Sequence, residues 1–299
     1  MWGSGKHDSM LTLVLVLTRC GSLLAARENG TVTLNNGVTM PKLAFAANVW
    51  PAGVCRNATS EALDAGFRFV WSSFLVGAEC QRAQRSAIES ASVPRASIFL
   101  AGTVDTQSCT SEASCLSATH AGALDQFSYL GPEPLDQLML DYPSAAGCDG
   151  IRGQWSALTT LYRAQRVRSI GVSNFGDEQL ACLLPVDSTS VATVVPAVNQ
   201  LRFSIGNTGP PATLEHNAAH GIWVQAYSPL GSGAILRDKD VMRIGQHHAK
   251  SAAQVALRYV LQKNVTIATQ STSPSHLRED LGLFGWDLTD DEMGVLDRK

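Results

Sequence analysis

The tightest constraint on this chain is a repeat in the spacing of its apolar runs. Eight short runs recur, at Leu43–Ala47, Phe67–Trp71, Ile98–Thr103, Gln137–Asp141, Arg168–Val172, Ala197–Gln200, Ile222–Ala226 and Thr266–Ala268. Their starts lie mostly about 25–40 residues apart, room for a strand, a loop and a helix. Runs that stay apolar, rather than alternating with polar residues, suit parallel strands covered by helices. Eight such units predict an α/β fold, a (β/α)8 TIM barrel. A doubly wound sheet is the competitor, and it wants a glycine-rich turn straight after its first strand. Asn48-Val49-Trp50-Pro51-Ala52-Gly53 does not supply one. Ahead of the first run, two β-rich pieces within Thr31–Met40 flank Asn35-Asn36-Gly37, which predicts an N-terminal β-hairpin.

Helices are expected between the strands. Ser60–Ala65 runs into a Gly66 stop, and Arg152–Gln165 carries Trp155, Leu158, Leu161 and Tyr162 at helical spacing. Ser251–Leu261 opens with a capping box, Ser251 with Gln254, and lays Ala252, Val255, Ala256, Tyr259 and Val260 along one stripe. Each stripe reads as core packing. A chain of 299 residues can enclose one large core, and no linker or shift in composition marks a second domain. Residues 27–299 are therefore expected to form a single domain.

Residues 1–26 read differently. Lys6 and His7 precede the apolar run Met10–Leu17, and small and apolar residues follow through Ala26. This is the pattern of a secretory signal peptide cut near Ala25 or Ala26. Arg19 and the Leu23-Leu24 pair are untidy for a signal, so a mitochondrial presequence or a first buried strand are the alternatives. The run is too short to span a bilayer, so no transmembrane segment is expected in the mature chain. Cleavage would remove Cys20 and leave Cys55, Cys80, Cys109, Cys115, Cys148 and Cys182. That even set suits disulfides in an oxidising compartment, with connectivity left open. Asn29-Gly30-Thr31, Asn57-Ala58-Thr59 and Asn264-Val265-Thr266 fit the N-glycosylation pattern. Together these features predict a glycoprotein of the eukaryotic secretory route, secreted or in an organelle lumen. The alternative is a cytoplasmic or other organellar enzyme with free, half-buried thiols. With 23 basic and 26 acidic residues, net charge -3, no basic surplus is available for phosphates, and no nucleic-acid partner is expected.

Several segments carry a family resemblance. They are Leu34–Pro41, Ala62-Leu63-Asp64-Ala65-Gly66, Ile170–Phe175 (IGVSNF), Pro196–Gln200, Ala226–Gly231 (AYSPLG) and the helix reading SAAQVALRYVLQ from Ser251. From about residue 31 to its end the chain resembles the aldo-keto reductase family. The resemblance implies a (β/α)8 barrel that uses NAD(P)H to reduce carbonyls, usually without a metal. It also implies a set of Asp, Tyr, Lys and His: Tyr donates the proton, the Lys–Asp pair lowers its pKa, and His orients the substrate.

This sequence departs from that set at every position. In Trp71-Ser72-Ser73-Phe74-Leu75-Val76, Trp71 stands where the family has Asp and Val76 where it has Tyr. Thr103 stands for Lys, and Asp141, in Asp141-Tyr142-Pro143, stands for His. Hydride addition builds negative charge on the carbonyl oxygen, and an acid or a dense set of donors must meet it. Val76 has no proton to give, Thr103 has no charge, and Trp71 offers one donor and much bulk. An ionised Asp141 would repel the developing charge unless burial by Trp71 and Phe74 raises its pKa. In that case Asp141 and Tyr142, joined by Ser73 and Asp105, form an unusual acid site at a strand's C-terminal end. Joint loss of Lys and Asp is physically sensible, because losing Lys alone strands a buried carboxylate.

The cofactor pocket is better kept. The resemblance assigns Ser173, Asn174 and Gln200 to the nicotinamide carboxamide, Tyr227 to the ring face, and Ser228, Leu230 and Ser232 to the pyrophosphate. Turn and capping roles would retain the same residues. Ser271 and Glu279 suit the adenosine end. Gln270 and His276 replace the Lys and Arg that clamp the 2′-phosphate of NADP, with Arg278 a partial substitute, so NAD is less penalised than NADP. The sequence ends at Lys299, soon after the last expected helix, which implies no long closing loop and an open pocket.

His120, His216, His220, His247 and His248 read as surface or helix-borne. His216 and His220 lack a third ligand, and adjacent His247 and His248 do not easily share a helix face, so no metal site is expected. Three readings follow. The first is an aldo-keto reductase-like protein without standard carbonyl reductase activity, keeping NAD(P) binding or serving as a binding or structural subunit for a protein partner. The second is an NAD(P)-dependent oxidoreductase that reduces a small carbonyl substrate with a non-standard proton donor. The third is a non-redox enzyme on the same barrel.

Overall fold

The computed structural model describes Met1 and residues 30–131, 134–184 and 194–299; residues 2–26 of the expected leader and Asn29 lie outside the described residues. β1 (Thr31–Thr33) and β2 (Thr39–Pro41) pair antiparallel as the expected hairpin. Gly37 at its turn holds φ 83°, a left-handed backbone that costs glycine little. The Asn35 and Asn36 side chains donate to the backbone carbonyls of Pro196 and Arg168, each at 2.9 Å. These bonds seat the hairpin across the N-terminal end of the barrel.

Eight parallel strands form that barrel: β3 (Leu43–Ala46), β4 (Phe69–Ser72), β5 (Phe99–Val104), β6 (Gln137–Leu140), β7 (Ile170–Ser173), β8 (Val198–Arg202), β9 (Trp223–Tyr227) and β10 (Thr266–Thr269). β10 pairs with both β9 and β3, which closes the sheet. The helices are α1 (Ala52–Ala65), α2 (Gly77–Glu89), α3 (Glu112–Leu130), α4 (Gly147–Arg163), α5 (Asp177–Ala181), α6 (Pro211–Ala219), α7 (Lys239–His248), α8 (Ala252–Gln262), α9 (Pro274–Leu281) and α10 (Asp290–Leu296). None among the described residues is long and apolar enough to cross a membrane.

Each apolar run contains its strand to within two residues. Phe67 and Ile222 fall outside because their N–H groups bond back to Ala62 and Asn217 of the preceding helices instead of a neighbouring strand. α1 and α4 begin well before their expected starts. In α4, glycine serves packing: a Cβ on Gly153 would lie 2.1 Å from the Glu112 carbonyl, so only glycine lets α3 and α4 approach this closely. The capping box of Ser251 and Gln254 is present at α8.

Alternation along the strands decides what reaches the interior. Phe69, Trp71, Phe99, Ala101 and Met139 share one buried cluster with Val32, Leu34 and Met40 of the hairpin. The intervening Val70, Leu100, Leu138 and Leu140 pack outward with Leu63, Ile88, Phe127 and Leu158 of the helices. Thr103 and Asp141 continue the inward series at the C-terminal rim.

Three disulfides join Cys55 to Cys80, Cys109 to Cys115 and Cys148 to Cys182. Cys55, Cys80, Cys115 and Cys148 each sit in the first turn of a helix that follows a barrel strand, so the bonds staple the rim where the strands end.

Candidate functional site

The C-terminal mouth is the face on which barrels of this kind carry chemistry. Asp141 lies at this end, just past β6, and is 4% exposed. Its Oδ2 accepts hydrogen bonds from Ser73 Oγ and Thr103 Oγ1, each at 3.3 Å. Those hydroxyls are themselves anchored, since Ser73 Oγ accepts the Leu75 N–H at 3.1 Å and Thr103 Oγ1 accepts the Phe74 N–H at 2.9 Å. Burial raises the Asp141 pKa to about 6 against the opposing bonds from Thr103 and Ser73, with a small further push from the charge of Asp105. Ser73 thus joins Asp141 by direct contact, and Asp105 only through its field.

The other substituted positions lie at the same end of the barrel, with only Thr103 bonded to Asp141. Trp71 is 8% exposed, and its indole Nε1 has no hydrogen-bond partner among the described residues. Val76 ends a short 3-10 turn and packs with Ala47, Cys55 and Cys80, so the first disulfide underpins this corner. Thr103 is fully buried.

Ser173, Asn174, Gln200 and Tyr227 come together, but they bond to one another. Ser173 Oγ donates to the Gln200 carbonyl at 3.1 Å, and the Gln200 amide donates to Gln225 Oε1 at 2.7 Å inside the barrel. Asn174 Nδ2 donates to the Asp141 carbonyl at 2.9 Å, and Tyr227 Oη donates to Asn174 Oδ1 at 3.0 Å. Asn174 and Ser228 hold φ of 63° and 50°, the tight strand exits anticipated by the turn reading.

A cleft of about 390 Å³ opens above this network, lined by Trp71, Ser73, Val76, Tyr227, Leu230 and Gln270 among others. Ser228 also lines it, whereas Asp141, Ser173, Asn174, Gln200, Ser232, Ser271 and Glu279 do not. Ser232 and Glu279 are exposed, and Ser271 Oγ accepts the Ser273 N–H at 3.0 Å. A larger cavity, about 610 Å³, lies beside Thr33, Asn35, Trp223 and Lys263 at the hairpin end. It is on the wrong side of the barrel for chemistry at the strand ends.

Two features were missed in the sequence. Gln137 and Gln225 point into the barrel, and neither amide group of Gln137 finds a partner among the described residues. The strand alternation was the signal for both. The reading that His247 and His248 cannot readily share a face is corrected by the structure. Both rings meet Glu292, because α7 ends at His248 and the carboxylate arrives from α10 between them.

Residues 57–299 match the sequence family described as "Aldo/keto reductase family". The chain belongs to that family. An aldo-keto reductase of Mycolicibacterium vanbaalenii is 31% identical over 271 residues, covering 89% of this chain and 91% of the relative. The 9,11-endoperoxide prostaglandin H2 reductase of Trypanosoma cruzi is 30% identical over 273 residues, covering 89% and 90%. The crystal structure of an aldo/keto reductase from Brucella melitensis superposes with a TM-score of 0.78 at 27% identity, covering 90% of this chain and 98% of that one. As an aldo/keto reductase by family, the chain has its cleft where the fold places ligands, at the strand ends.

Proposed function

We propose that this protein has left the standard carbonyl reduction of its family while keeping a cleft at the strand ends that favours NAD over NADP. One observation carries the reading. The family roles of Asp, Tyr, Lys and His fall on Trp71, Val76, Thr103 and Asp141, and of these only Asp141 ionises in the ordinary pH range. Its carboxylate is held by Ser73 and Thr103, and Asp141 is absent from the cleft lining. No phenol or ammonium takes the place of the lost acid at those positions.

The fit to a dinucleotide is uneven. Tyr227 offers a partly exposed ring in the cleft, and Ser228 and Leu230 continue along it. Asn174 and Ser173 are committed to internal bonds that a carboxamide would have to replace. At the far end Gln270 lines the cleft and His276 is exposed, so no fixed cation meets a 2′-phosphate at either position. NAD or NADH is therefore the dinucleotide these residues tolerate best, and a binding or structural role with a protein partner is the function left if neither binds. The three disulfides support a secretory setting, and among the described residues Asn57 and Asn264 are exposed acceptors open to a glycan.

A second reading rests on Ser73. Its hydroxyl lines the cleft and touches Asp141, whose pKa near 6 lets part of the population hold a proton close to neutrality. A relay from Asp141 through Ser73 would then supply an unusual acid to a small carbonyl substrate. Fluorescence titration with NADH and NADPH, followed by aldehyde turnover in the wild type and in Ser73→Ala, separates the readings. Binding without turnover supports the first. Turnover that Ser73→Ala abolishes supports the second. Turnover that Ser73→Ala leaves unchanged contradicts both.

A further inference from the structure

We propose that His247, His248 and Glu292 form a binding site for a divalent transition metal of the zinc class, fastening α10 to the end of α7. Nδ1 of His247 lies 3.1 Å from Glu292 Oε1, and Nε2 of His248 lies 2.8 Å from Glu292 Oε2. The three donors all lie within 4.8 Å of one another. A tetrahedral zinc with ligand bonds of about 2.0–2.2 Å needs its donors about 3.3–3.5 Å apart. Small side-chain rotations cover the difference.

The set is preorganised from outside. Glu292 is the third residue of α10, and its carboxylate accepts the Thr289 N–H at 2.9 Å in a capping box, which holds it before any metal arrives. The His248 ring packs 5.2 Å from the Trp286 ring, which fixes its plane. Partners of this kind orient ligands in metal sites. The His247 side chain is 70% exposed, which leaves an entry path and a fourth position for water. Lys250 lies over the same Trp286 ring, 5.5 Å from its centroid.

The donor types choose the metal. Two imidazoles and one carboxylate suit zinc, copper or nickel, whereas calcium and magnesium prefer all-oxygen shells. The Glu292 carboxylate already accepts the Thr289 N–H and is reached by a ring nitrogen of each histidine, so its two oxygens face the space the metal would take. Each histidine must offer an unprotonated nitrogen, so metal uptake would release whatever protons those atoms carry. The six cysteines of the described residues are all in disulfides and do not compete.

The test is a Zn²⁺ titration of the disulfide-intact chain against a chromogenic chelator, with thermal melting in parallel. The expected result is one equivalent bound with micromolar or tighter affinity and a raised melting temperature. His248→Ala and Glu292→Gln should each weaken binding at least ~10-fold and remove the rise. His247→Ala should weaken it too, and because that side chain is exposed, the loss is not explained by misfolding. His216→Ala, at the His216–His220 pair, should change nothing. Absence of binding in the micromolar range, or binding that survives Glu292→Gln and His248→Ala, overturns the proposal and leaves the three side chains as a hydrogen-bonded clasp.

Discussion

The Thr103 hydroxyl joins Asp141 to the loop after β4: it donates to the Asp141 carboxylate at 3.3 Å and accepts the Phe74 N–H at 2.9 Å. A neutral side chain here positions a loop and a carboxylate together, and it does so without a charge. The consequence for stability is direct, because among the described residues the buried carboxylate is bonded to hydroxyls and to no cation.

Asp141→Asn should stabilise the protein at neutral pH. Burial raises the Asp141 pKa to about 6 from the ordinary 3.8. The folded state therefore holds more protons than the unfolded state between these values, and the wild type loses stability as pH rises through that window. Below it both states are protonated and the carboxylate costs nothing extra. Urea unfolding near pH 7.5 should show the Asn variant more stable by on the order of 1–3 kcal/mol, with the gain shrinking towards pH 4. A gain of equal size at both pH values would locate its cause elsewhere.

Gln270→Lys combined with His276→Arg should shift cofactor preference. Both residues are exposed, so the folded core is not at risk. Two fixed cations would meet the 2′-phosphate that the present side chains do not. NADPH affinity should rise at least ~10-fold relative to NADH, as read by fluorescence titration. An unchanged ratio would mean that these positions do not face the adenosine end.

Loss of the Cys55–Cys80 bond should be costly. It closes a separation of 25 residues and packs beneath Val76 and Ala47 at the cleft. The paired substitution to alanine should lower unfolding free energy by about 3 kcal/mol. Denaturant unfolding checks it, and a change below ~1 kcal/mol would show that barrel packing alone holds this rim.

Replacing the four positions together, Trp71→Asp, Val76→Tyr, Thr103→Lys and Asp141→His, should restore aldehyde reduction. Any one alone should not, since a phenol without its buried pair lacks a lowered pKa. Turnover at least ~100-fold above the wild type is the expected size for a restored general acid. Activity from Val76→Tyr alone would show that the remaining residues still serve an acid.

The barrel was legible because its signals are local. Each strand is a short apolar run, and the hairpin is written in Asn35-Asn36-Gly37. The early start of α4 was not: it takes Gly147 and Gly150 into the helix, and the crowding by Ser144 that leaves no room for a Cβ at Gly150 shows only in the folded chain. Disulfide pairing was equally hidden, because it depends on which helix starts the barrel sets side by side. Asp141 shows the same divide. Its place at a strand end was readable, but its burial and its bonds to Ser73 and Thr103 required neighbouring strands in register. His247 and His248 failed for the opposite reason. Helix geometry alone separates them, and the residue that unites them, Glu292, comes from a different helix.

The most direct measurement is aldehyde turnover by the purified, disulfide-intact protein with saturating NADH and, separately, NADPH. Oxidation of either cofactor no faster than the protein-free rate, in a sample whose cofactor binding has been measured, is the expected result. Turnover of simple aldehydes at about 1 s⁻¹ or faster, the ordinary range for enzymes, would contradict the loss of standard chemistry at Trp71, Val76, Thr103 and Asp141.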